Sequence, residues 1–156
     1  MVDATRACVD GGFLDVIFPV IGSCICTTTA HPSPDLAAYN LAARMKRAEL
    51  VTALREMLGA RLVADLGKVK ETRAVRLWVE GTRTIGNDTD VERLRIACRA
   101  AKLVTACDTA AVAQAWFQGL NPILDDRAPA LLLRDGDLAD VGPQVLAAAR
   151  QFAAVG

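Results

Sequence analysis

The chain has 156 residues, with 18 basic and 18 acidic side chains and a net charge of zero. That length suits one ordinary domain, or a compact domain with an extra arm, and the charge balance argues against a protein that coats nucleic acid along its whole length. Hydrophobic residues make up 53% of the sequence and aromatics only 4%, an alanine- and leucine-rich balance that excludes general disorder and favours helices over sheets.

Residues 1–32 are unlike the rest, rich in Gly, Thr and Cys with no helical period. They fit an irregular arm, a short strand pair, or translated sequence upstream of the functional start. The apolar run 13–26 is too short for a membrane span and is broken by Asp15, Pro19 and Gly22. A signal peptide wants a basic start, whereas Arg6 is opposed by Asp3 and Asp10. The five cysteines (Cys8, Cys24, Cys26, Cys98, Cys107) are odd in number and irregularly spaced, as expected of reduced thiols in a reducing compartment. Cys24-x-Cys26 with His31 supplies zinc-type ligands at the wrong spacing and without a second cluster, so no metal is expected. These features lead us to expect a cytoplasmic protein with no membrane association.

Helical order begins at Ser33-Pro34-Asp35, a serine cap, a first-turn proline and an acid. The sequence then runs without a breaker from Leu36 to Gly59, as one long helix or two separated by a bend. Leu50, Leu54, Leu58 and Leu62 form one apolar stripe, and Gly59 is a plausible stop. A short helix over 61–66, a turn at Gly67-Lys68-Val69-Lys70 and a helix over 72–80 closed by Gly81 follow. Asp88 or Thr89 caps the next helix, which runs through Val91, Leu94, Ala97, Cys98 and Leu103. The last third reads as a helix over 109–118, a stop at Asn121-Pro122, a short helix over 129–133, a turn at Asp135-Gly136-Asp137 and a final helix over 143–154. The expected class is all-α, with an arm at 1–32, a helical segment at 33–105 and a small helical domain at 106–156.

The charge is not spread evenly. Residues 61–83 hold six basic side chains (Arg61, Lys68, Lys70, Arg73, Arg76, Arg83) against three acidic ones (Asp65, Glu71, Glu80), while the flanking parts are both slightly acidic. Two short helices joined by a tight turn, with the second carrying Arg and Thr, make a helix-turn-helix over about 61–81 that suits the major groove. Arg73 and Arg76 share one face and Val75 and Trp78 another, which separates a reading face from a packing face. Arginine pairs with guanine and threonine meets base edges, while Lys68, Lys70 and Arg83 flank the helix where phosphates lie. The same pattern also fits an amphipathic helix pair whose cationic face is simply solvated, and the turn is one residue longer than the tightest version.

Nothing in the sequence assembles a catalytic site. The one histidine, His31, lies beside two prolines in the irregular arm. The carboxylate pairs Asp125-Asp126 and Asp135-x-Asp137 sit at turns, and no glycine-rich phosphate loop is present. No enzyme activity and no cofactor are expected.

Three stretches resemble a known family. The run from Leu66 through Gly67-Lys68-Val69-Lys70 and Thr72-Arg73 to Trp78 and Gly81 resembles the helix-turn-helix of Xre-type antitoxins, and Arg93-Leu94-Arg95-Ile96-Ala97 resembles the linker helix that follows. More specific is the third stretch: Ala115-Trp116-Phe117, Gly119, Asn121-Pro122, Leu124, Pro129 and Leu132-Leu133. It is similar to the C-terminal signature of the MbcA/ParS/Xre antitoxins. On the residues alone Trp116, Leu124, Leu132 and Leu133 are scaffold, with Pro122 ending one helix and Pro129 opening the next. The resemblance covers residues 48–154. It implies a homodimer that represses its own operon through operator DNA and neutralises a cognate toxin of the RES type, an NAD-degrading or ADP-ribosylating enzyme. Carried onto this chain, it implies a DNA face at Lys70, Thr72, Arg73 and Arg76 and a toxin face around residues 134–140 and the last helix.

Overall fold

A computed structural model describes residues 34–155, so the arm at 1–32, Cys24, Cys26, His31 and the Ser33 cap lie outside the described residues. Among those described the fold is all-α. Its helices are α1 (Pro34–Arg44), α2 (Arg47–Leu66), α3 (Thr72–Val79), α4 (Asp88–Thr105), α5 (Ala110–Gln118), α6 (Pro129–Asp135) and α7 (Leu138–Val155), with a 3-10 turn at Pro122–Leu124. No helix among them is long and apolar enough to cross a membrane.

The first stretch is two helices, and neither glycine nor proline divides them. The Lys46 backbone is extended, and its N–H donates to the Glu49 carboxylate at 3.1 Å, a one-sided cap that starts α2 afresh. Leu50, Leu54, Leu58 and Leu62 are buried as one stripe. Gly59 interrupts the helical geometry at φ 81° and ψ 156°, a conformation essentially confined to glycine. So α2 is two helical pieces meeting at a kink, with the second resuming at Ala60, close to the expected stop and the short helix over 61–66.

Two other boundaries differ from the sequence expectation. The cap of α4 is Asn87, whose side chain accepts from the Asp90 N–H at 2.7 Å, rather than Asp88 or Thr89. The last helix opens at Leu138, five residues ahead of Pro143, which lies inside it. Asp137 makes that early start possible. Its carboxylate accepts from the Ala139 N–H, and its carbonyl accepts from the Asp140 and Val141 N–H groups. Pro143, the sixth residue of the helix, lies past the first turn and so removes the bond a backbone N–H there would make to the Ala139 carbonyl.

The core is one continuous cluster from Leu50 to Ala149, with α4 at its centre, packed by α1, α2, α5, α6 and α7. Gly142 lets α7 approach α4, since a Cβ there would meet Ile96 Cδ1 at 3.0 Å. Residues on both sides of position 105 contribute to this cluster. Against it α1 lies lightly: Ala38 and Ala42 are buried, and Asp35 pairs with Arg150 at 3.0 Å and with Arg99 at 3.7 Å. The Arg99 guanidinium also stacks 4.8 Å from the Tyr39 ring centroid.

Among the described residues one charged side chain lies inside the core. Arg93, only 4% exposed, projects from α4 between the C-terminal ends of α2 and α6. Its Nε donates to the Leu133 carbonyl at 2.8 Å, and Nη1 donates to the Leu66 carbonyl at 3.5 Å and to the Asp90 carboxylate. Helix C-termini carry unpaired carbonyls and partial negative charge, and one guanidinium serves two of them here. Arg93→Ala strands the Asp90 carboxylate and both carbonyls. It should lower unfolding free energy by about 3–5 kcal/mol, measured by chemical denaturation.

Candidate nucleic-acid interface

The second half of α2 and α3 meet through the turn 67–71. The turn is closed by backbone bonds from the Gly67, Lys68 and Val69 N–H groups to Val63, Asp65 and Ala64 carbonyls, with Lys68 at φ 53°. Gly67 is required by packing: a Cβ there would stand 2.7 Å from Trp78 Cη2 and 2.9 Å from Cζ3. The six-membered ring of the Trp78 indole therefore packs against the turn at Gly67 and limits how closely α3 approaches it.

That packing sorts the faces of α3. Ala74, Val75 and Trp78 are buried, whereas Thr72, Arg73 and Arg76 are exposed. Lys68, Lys70 and Arg83 are exposed as well. Two adjoining concavities collect all six. Lys68, Lys70, Arg73 and Arg83 line one of about 590 Å³, with Glu71 and Leu77. Thr72, Arg73 and Arg76 line another of about 440 Å³, and Arg73 belongs to both. Arg76 pairs with Glu80 at 3.5 Å on the solvent side, and Lys68 lies near enough to Asp135 to favour its charged form.

Of the neighbouring carboxylates, Glu71 lines the concavity with the cations, while Asp65 and Asp135 are engaged by Arg134. Arg134 donates to Asp65 at 2.9 Å and grips Asp135 through Nε at 3.0 Å and Nη2 at 2.9 Å. These hydrogen bonds hold the Asp135 carboxyl below its ordinary range and push the Arg134 guanidinium up, so both stay charged. Two carboxylates on one guanidinium leave the brace with one net negative charge, which Lys68 feels through Asp135. The same brace lines a larger groove of about 1040 Å³ between α2, α5 and α6, whose rim carries Arg61, Lys68 and Lys70.

The residues of the C-terminal motif are brought together, and most are buried. Leu124, Pro129, Leu132 and Leu133 enter the core. Asn121, 8% exposed, accepts from the Ile123 N–H at 3.0 Å and caps the 3-10 turn at Pro122. Its backbone pairs with Arg127 across a tight loop in which Asp125 and Asp126 both adopt positive φ. Trp116 is on the rim of the cluster, half-buried, edge-on to Phe117 at 5.1 Å and to Phe152 at 6.5 Å. Phe117 is the aromatic at its centre.

Sequence reasoning left out one cation of this surface. Arg55 lines the same concavity as Thr72, Arg73 and Arg76, and it comes from the part of α2 ahead of Gly59. The signal was present in the spacing, one helical turn before a glycine, but only the kink turns it into proximity.

Comparison of the chain with family models, with curated proteins and with solved structures finds no match.

Gly67→Ala should drive Trp78 off the turn and cost about 1–3 kcal/mol of stability, read by denaturation. The Asp135–Arg134 pair has its own signature in acid. A carboxyl held low in the folded state keeps its contribution at neutral pH and loses it only below the ordinary aspartate range, about pH 4. The melting temperature of Asp135→Asn should lie below wild type at pH 7, with the gap closing under strong acid.

Proposed function

We propose that this chain is a DNA-binding antitoxin of the MbcA/ParS/Xre type. On this reading it acts in the cytoplasm as a homodimer on operator DNA and neutralises a cognate toxin of the RES type. The DNA half is carried by one observation: an amphipathic α3 whose exposed Thr72, Arg73 and Arg76 stand among the cations Lys68, Lys70 and Arg83, opposite a face locked by Val75 and Trp78. Arg73 and Arg76 enter the major groove to meet base edges, and Lys68, Lys70 and Arg83 neutralise phosphates on either side. Two copies on one operator multiply the few base contacts a single short helix can make.

The toxin half is supported by the C-terminal motif around Trp116, Asn121-Pro122, Leu124, Pro129 and Leu132-Leu133. Arg134 is saturated by Asp65 and Asp135, so the contact falls to exposed neighbours such as Asp140 and the outer face of α7. Nothing in this reading requires catalysis or a cofactor.

Arg76→Ala should weaken specific operator binding by about 1–3 kcal/mol and relax preference at one base position. Unchanged affinity in an equilibrium titration removes Arg76 from the reading face. Co-expression of the tagged chain with the neighbouring gene's product tests the other half. A stoichiometric complex and restored growth are expected; a harmless neighbour that does not co-purify leaves a stand-alone DNA-binding regulator.

A further inference from the structure

Arg55 is exposed, and among the described residues no carboxylate or carbonyl engages its guanidinium. On its own helix the positions three and four residues away are Val51, Thr52, Leu58 and Gly59, none of them acidic. The side chain is thus an uncompensated cation, and it lines a concavity with Ala60, Thr72, Arg73 and Arg76.

What places it there is the kink. Gly59 interrupts the helix one turn beyond Arg55, and the segment that resumes at Ala60 leads directly to the turn beneath α3. The first part of α2 therefore ends beside the exposed face of α3. A major groove about 12 Å wide that admits α3 carries a row of phosphates along each lip. Lys68, Lys70 and Arg83 gather in one concavity beside α3; Arg55 stands in the other.

We propose that Arg55 is a phosphate-contacting residue, so that the surface for duplex DNA has a second wall formed by α2 ahead of Gly59. This rests on the reading of α3 as a DNA-binding helix. Its chemistry is that of an arginine fork on a phosphate, independent of sequence, and it acts together with the base contacts of Arg73 and Arg76.

The experiment titrates the full-length chain into a fluorescein-labelled duplex of arbitrary sequence over a series of salt concentrations. Each phosphate contact adds about 0.9 to the magnitude of the slope of log K against log salt. Arg55→Ala should lower that magnitude by about 0.9 and weaken binding equally on unrelated duplexes, with an unchanged melting temperature. Arg55→Lys, which keeps the charge, should retain the slope. A wild-type slope in Arg55→Ala, alongside a flattened one in Lys70→Ala, overturns the role of Arg55 and leaves the DNA reading standing. A wild-type chain with no salt-dependent binding overturns both.

Discussion

A guanidinium in an alanine-rich core is an expensive group to bury, and its partners determine how the chain is assembled. Arg93 reaches the last carbonyl of α2, a last-turn carbonyl of α6 and the Asp90 carboxylate from one position on α4. Apolar contacts between small side chains tolerate sliding; a planar fork with three acceptors does not. The ends of α2 and α6 are therefore registered against α4, and with them the turn that carries α3. Arg134 repeats the device at the surface, tying α6 to α2 through Asp65. The two arginines make the C-terminal helices part of the platform on which α3 stands.

The same arrangement explains how a chain of zero net charge can present a basic face. Several of its acids are committed in pairs: Asp65 and Asp135 to Arg134, Asp90 to Arg93, Asp35 to Arg99 and Arg150, Asp88 to Arg47. Around α3, Arg76 pairs with a well-solvated Glu80, Lys68 lies in the field of Asp135, and Glu71 lines the cationic concavity. The local excess of base comes from the composition of 61–83, six basic side chains against three acidic, and the pairing of Asp65 with Arg134 adds to it.

Much of this was legible in the sequence because the strong signals were periodic. The leucine stripe of α2, the opposition of Arg73 and Arg76 to Val75 and Trp78, and the proline that opens α6 each reflect a local rule acting within one or two helical turns. The misses were of a different kind. The break at Met45-Lys46 depends on Glu49 folding back, a choice between two backbone states that composition does not decide. Asn87 took the place of Asp88 or Thr89 as the cap of α4, and Asp137 opened α7 ahead of Pro143, which therefore lies inside the helix. Arg55 escaped notice because charge was summed along the chain, whereas the kink at Gly59 joins residues from two segments of opposite balance.

The attachment of α1 has a consequence for how the molecule opens. Two alanine methyl groups remove little apolar area from water, so this helix is held chiefly by the Asp35 pairs and the Tyr39 stack, contacts that salt weakens. The rest of the fold shares one core and unfolds together, whereas α1 can leave without disturbing Arg93 or the leucine stripe. The protein thus has two tiers of cooperativity: its backbone amides should exchange with solvent in two populations, and ionic strength governs the distance between them.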